Sequence, residues 1–214
     1  MRNKLIFGGI WLFFTVYAFV FAPPSQPETL ELITKLATAQ IAGINPLVVA
    51  LFNLMGVLPL VYACLLLVDG RGQKIAAWKL LLPSFGVGAF ALLPYLALRK
   101  KNPYWIGKLD RVLRVLESPL TAILLGVTVL SLIFWGINSG DWSNFVQQWH
   151  NSKFIHVMSL DFCLLCLLLP MLVKDDLVRR GIDNIALWNT IAFVPLLGTL
   201  VYLCLRPPLP VDES

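Results

Sequence analysis

The chain of 214 residues is 58% hydrophobic and only 14% charged, against about 25% charged residues in soluble domains. That deficit excludes an ordinary soluble domain and points to a membrane protein. The net charge of +5 does not indicate nucleic acid: no nucleic-acid motif is present, and Lys and Arg gather at the ends of apolar runs, as membrane proteins place them near cytoplasmic loops and anionic lipid.

Six runs reach the roughly 20 residues needed to cross a bilayer: 5–22, 47–68, 79–98, 119–137, 154–173 and 185–205. The expected fold is all-α, one domain over 1–214, an integral membrane bundle of about six transmembrane helices with short interfacial helices. MRNK followed by LIFGGIWLFFTVYAFVFA resembles a secretory signal. Its apolar run of 18 residues exceeds the usual signal core of about 7–15, and cleavage after Ala22 would set Pro23 beside the scissile bond. A retained first helix is expected.

After it, Ser25 and Glu28 have capping-box spacing, with Pro27 tolerated in a first turn. Leu32, Ile33, Leu36 and Ala39 share a face, so a surface helix is expected, ended by Gly43 and Pro46. In the third run Ser84, Gly86 and Gly88 offer a small-residue packing face, and Pro83 and Pro94 suggest kinks. In the basic loop 99–119, Leu109, Val112, Leu113 and Leu116 share one face and Lys108, Arg111 and Arg114 another. This predicts an interfacial amphipathic helix facing lipid headgroups or a partner, with Asp110 four residues from Arg114 and able to pair with it.

Six crossings would put both termini on one side with seven Lys and Arg, and ten on the other. The ten favour loop 99–114 in the cytoplasm or stroma; Arg2 and Lys4 argue the reverse. A repeat is also visible. LVVALFN (47–53) resembles HVMSLDF (156–162), and LPYLALR (93–99) resembles LVYLCLR (200–206). These map three helices onto three, which would make the second half inverted, as in many transporters. A competing match, ALFN-x5-P (50–59) with ALWN-x5-P (186–195), pairs helices 2 and 6.

Chemistry concentrates in FIHVMSLDFCLLCLLLP. His156 and Cys163 share a helix face but stand about 10 Å apart, and Asp161 points elsewhere, so no metal site is expected. Cys163 and Cys166 have the C-x-x-C spacing of a redox pair, with Cα atoms about 5 Å apart on a helix. Apolar surroundings suppress the thiolate, so packing is the first reading and thiol exchange the alternative. All four cysteines fall within apolar runs, which implies no disulfide framework. His150 and His156 lie in one segment, excluding a bis-histidine haem. His156 is left as an interfacial side chain or an axial ligand to a pigment such as chlorophyll.

Asp161 is the residue most out of place. A carboxylate near the bilayer centre costs about 2.5–3.5 kcal/mol, so it should face the bundle or a wet cavity. It is then either protonated, as burial favours, or hydrogen-bonded to Asn53, Asn189 or a backbone group freed by a proline such as Pro59, Pro170 or Pro195. Its role is then a structural hydrogen bond or the handling of a proton or solute. No nucleophile–base pair, phosphate loop or paired carboxylates occur.

GINPLVVALFNLMGV, LVDGRG, SFGVGAFALLPYLALR, FIHVMSLDFCLLCLLLP and CLRPPLP together resemble an uncharacterised family of cyanobacterial and plastid multispanning membrane proteins, over nearly the whole chain. The resemblance implies an oxygenic phototroph and a thylakoid or plasma membrane; it carries no assigned chemistry. The function expected is a non-catalytic accessory or assembly factor that binds photosynthetic complex subunits, lipid or pigment. A small-solute or ion transporter is the second expectation and a membrane thiol oxidoreductase the third.

Overall fold

A computed structural model describes residues 2–105, 108–182, 190–191 and 193–210, all but Arg2 with side chains. The elements are α1 (Arg2–Val16), continued by a π-helix (Tyr17–Phe21), then α2 (Thr29–Ala37), α3 (Pro46–Asp69), α4 (Trp78–Val87), α5 (Ala89–Leu98), α6 (Arg111–Leu116), α7 (Pro119–Ser139), α8 (Trp142–Asn151), α9 (Lys153–Arg179) and α10 (Pro195–Leu205). The architecture is all-α, without strands among the described residues. Four stretches are long and apolar enough to cross a membrane, Asn3–Phe21, Pro46–Asp69, Pro119–Ser139 and Lys153–Arg179.

Local chemistry sets the helix starts. Asn45 accepts from the Leu47 amide at 3.1 Å with Pro46 opening α3, and Ser118 accepts from Leu120 at 3.3 Å with Pro119 opening α7. Each side chain replaces a helical carbonyl that the first turn lacks, and proline loses no bond there. The capping box expected at Ser25 and Glu28 is absent: Glu28 is the N-cap without a side-chain bond, and Thr29 instead donates to the Gln26 carbonyl at 2.7 Å. Asp110 caps α6 through the Leu113 amide and pairs with Arg71 rather than Arg114.

The run 79–98 does not cross the bundle. Its two halves, α4 and α5, meet at Gly88, whose backbone at φ 52° and ψ −125° reverses the chain. Both ends return to one place: Gly70 lies against Ala77, and the Gln73 side chain donates to the Lys100 carbonyl and accepts from the Lys100 amide. Ten residues in each arm reach only about 15 Å, half of a roughly 30 Å hydrocarbon core. The prolines expected to kink the segment sit inside the arms; the glycine between them makes the turn. The last run behaves alike. Arg180, just after α9, and Arg206, just after α10, hold the same Glu117. Arg180 and Arg206 therefore stand at one end of the bundle, and α10, of 11 residues, reaches only about 16 Å. The rest of the expected span 185–205 lies largely outside the described residues. Among the described residues four helices are long and apolar enough to cross, against the six spans expected.

This changes the repeat. α1, α2, α3 and α5 correspond in order and direction to α7, α8, α9 and α10. The surface helices α2 and α8 both cover the far-end cluster of Leu36, Val48, Val49, Leu51, Ile155 and Met158. LPYLALR and LVYLCLR are the two returning arms, each ending in a buried arginine, Arg99 and Arg206. Each half starts and finishes at the same end of the bundle, so the two halves run parallel and the inverted arrangement is overturned. The competing match of 50–59 with 186–195 involves residues outside those described.

The topology also sorts the charge. Among the 17 Lys and Arg, only Lys35 and Lys153 lie at the far end, on α2 and at the start of α9. The other fifteen lie at the end where α3, α5, α9 and α10 finish. The near-even split expected from six crossings is gone.

Candidate functional site

At the charged end the returning segments and the crossing helices are locked by a buried ion lattice. Arg99 pairs with Asp69 at 2.9 Å and with Asp175, and Arg179 joins Asp69 at 2.8 Å to Asp176 at 2.9 Å. Arg180 connects Asp176 at 2.9 Å to Glu117 at 2.7 Å, and Arg206 closes the ring on Glu117 at 2.7 Å and Asp176 at 3.3 Å. Tyr202 donates to Asp176 at 2.8 Å. Four guanidinium groups face four carboxylates, so the buried part of the lattice is formally neutral, with the exposed Lys101 reaching Asp175 from outside at 3.9 Å. That balance is what makes burial tolerable: one unpaired charge would cost several kcal/mol. Arg99 and Arg206 also follow the C-termini of α5 and α10, where cations meet the negative end of the helix dipole. Sequence reasoning read the arginines only as charges at the ends of apolar runs and did not single out the acids. The missed signal was acids and arginines at the ends of five apolar runs, 69, 99, 117, 175–180 and 206.

The other site is a cavity of about 820 Å³ between the π-helix, α2, α3, the tip of the α4–α5 hairpin and α9. Phe52, Met55, Phe90, Phe154 and Met158 line it, Ser25, Thr29 and Lys153 lie on its far-end side, and Phe19, Phe85 and Val87 are exposed along its open side. Asp161 is the one carboxylate in its lining. Asp161 is 5% exposed, and its Oδ1 accepts from the Ala89 amide at 2.8 Å, capping α5. Oδ2 has no hydrogen-bond partner among the described residues. The acid thus finds a backbone end freed by a chain break, as anticipated, but the break is at glycine rather than proline.

The two asparagines expected beside it are not there. Asn53 is exposed and donates to Val49 of its own helix at 2.8 Å, and Asn189 lies outside the described residues. His156 is buried, with both ring nitrogens engaged: Nε2 with the Tyr17 hydroxyl at 2.9 Å and Nδ1 with the Trp149 carbonyl at 3.0 Å. A carbonyl only accepts, so Nδ1 carries the proton and Nε2 accepts from Tyr17 in the neutral ring. Trp149 covers the ring at 4.1 Å between centroids. An axial bond from His156 to a pigment would therefore have to replace one of these two hydrogen bonds.

Cys163 and Cys166 are free thiols on α9, the first exposed on the apolar surface and the second half-buried against the core. No metal-binding group occurs among the described residues. Lys108, Arg111 and Arg114 are exposed at the charged end, with Leu113 alone of that segment buried, against Val68 and Leu209. Asp110 beside them is held below the usual carboxylate range, first by the Leu113 amide and then by Arg71.

Fold and site fit a helical integral membrane protein with a buried acid at the lining of a cavity. No family model, curated protein or solved structure matches the chain, so the phototroph family resemblance rests on its motifs alone.

Proposed function

We propose that the protein is a non-catalytic membrane protein that binds one small amphipathic molecule, a lipid or a comparable apolar compound, in the cavity ending on Asp161. The observation that carries this is the cavity itself: about 820 Å³ lies within the usual ligand-site range of roughly 300–1,000 Å³, and an apolar wall with one polar group is the pattern of such sites. The positive-inside rule puts the lattice end on the cytoplasmic or stromal side. The far-end side of the cavity then faces the opposite compartment or the outer leaflet. A thylakoid home and service to photosynthetic complexes fit the motif resemblance and the ligand-binding reading; co-purification of complex subunits in mild detergent tests them.

Gly56 supplies a clean test of the cavity. It lines the space and a Cβ there meets nothing within 4 Å, so Gly56→Phe fills the cavity without moving the backbone. Lipid or pigment carried through purification, identified by mass spectrometry, is expected to be present in the wild type and lost from G56F. Equal content in both proteins would refute the reading. A second reading, transport of the same solute, is favoured by the broken helix at the cavity floor, a feature of transporter sites. Uptake into proteoliposomes separates it from binding alone.

A further inference from the structure

Resting on that reading, we infer that the deep end of the cavity selects a protonated amine, so that the ligand is an amphipathic ammonium compound with its head on Asp161 and its apolar body toward the far-end side. The polar groups beside Asp161 are of one kind. Asp161 presents Oδ2, which accepts no bond from any described residue, while Oδ1 already holds the Ala89 amide. Phe85, Gly86 and Val87, all three exposed, line the cavity beside Asp161. They form the last turn of α4, where carbonyls lack helical amide partners and carry the negative end of the dipole. The amide that would have closed the Phe85 carbonyl, that of Ala89, is turned to Asp161 instead.

Beside Asp161 the chain thus offers acceptors, and the amide donor that a carboxylate-bearing ligand would need is taken. An ammonium supplies three donors and the charge that a buried carboxylate lacks; a buried acid with such a partner is paired instead of isolated. Lys153, the other charged side chain in the lining, does not neutralise Asp161. It stands eight positions earlier on α9, about 12 Å along the axis, on the far-end side, where it disfavours a ligand seated in the reverse sense.

The test uses the full chain in lipid nanodiscs, with radiolabelled octylamine, octanol and octanoate as probes and empty nanodiscs as the partition reference. Octylamine is expected to bind at least tenfold more tightly than octanol, and octanoate not above the reference. Asp161→Asn keeps an oxygen for the Ala89 amide but loses the charge, so it should erase the amine's advantage and leave octanol unchanged. Equal binding of amine and alcohol to the wild type overturns the amine assignment while sparing the cavity reading, and it needs no variant. Binding of none of the three sinks both.

Discussion

Gly88→Ala should be among the most damaging single-methyl additions in this chain. A Cβ at Gly88 would lie 1.9 Å from Asp161 Oδ2 and 2.6 Å from its Cγ, inside any allowed contact. The carboxyl must swing away, breaking its bond to the Ala89 amide and leaving a buried donor unpaired, at about 1–3 kcal/mol. The backbone at φ 52° and ψ −125° adds about 1–3 kcal/mol for a residue with a side chain. The sum, about 2–6 kcal/mol, is a large share of the roughly 5–15 kcal/mol that holds a native fold. Thermal unfolding in detergent can be followed by a thiol-reactive dye in a background with Cys163, Cys166 and Cys204 changed to Ser, where the fully buried Cys64 is reached only on opening. A fall of about 5–20 °C is expected for a chain of this size. In an Asp161→Ala background the clash is gone, so Gly88→Ala should cost only the backbone share. Gly86→Ala, with nothing within 4 Å, is the control and should be neutral or stabilising by about 0.5–1 kcal/mol. An unchanged melting point in G88A, or strict additivity with D161A, would refute the account of the hairpin tip.

Removing one member of the ion lattice should be severe: Arg179→Met leaves Asp69 and Asp176 short of a cation and should cost about 3–5 kcal/mol, read as loss of folded protein on size-exclusion chromatography. Arg71→Ala, which breaks the exposed pair with Asp110, should cost at most about 1 kcal/mol; a collapse comparable to R179M would contradict the distinction. Changing Lys108, Arg111 and Arg114 together to Glu should weaken association with anionic vesicles while leaving the melting temperature nearly unchanged, because all three are exposed; unfolding of that triple variant would show the segment to be buried. His156→Phe should lose about 1–3 kcal/mol from its two buried hydrogen bonds without altering visible absorption, whereas loss of a pigment band in H156F would overturn the assignment of both ring nitrogens to Tyr17 and Trp149.

The class of this protein was legible in residue order because apolar length is a local property. Runs such as 119–137 and 154–173 say helix and lipid without reference to neighbours, and Asn45-Pro46 and Ser118-Pro119 mark starts by their own capping chemistry. Asp161 was legible too, since a carboxylate among leucines demands a partner wherever it lies. What residue order could not give is direction. The run 79–98 is long enough to cross, and only the backbone turn at Gly88, stabilised by Asp161 from a helix 73 positions later, sends it back. That reversal moves Arg99 to the same end as Asp69, Asp175 and Arg206, turns charges at the ends of apolar runs into a neutral buried lattice, and converts an inverted repeat into a parallel one. Ion pairs of this sort span as many as 110 positions, as Asp69 and Arg179 do. Pairing energy depends on distance in space, which neighbours in sequence do not encode.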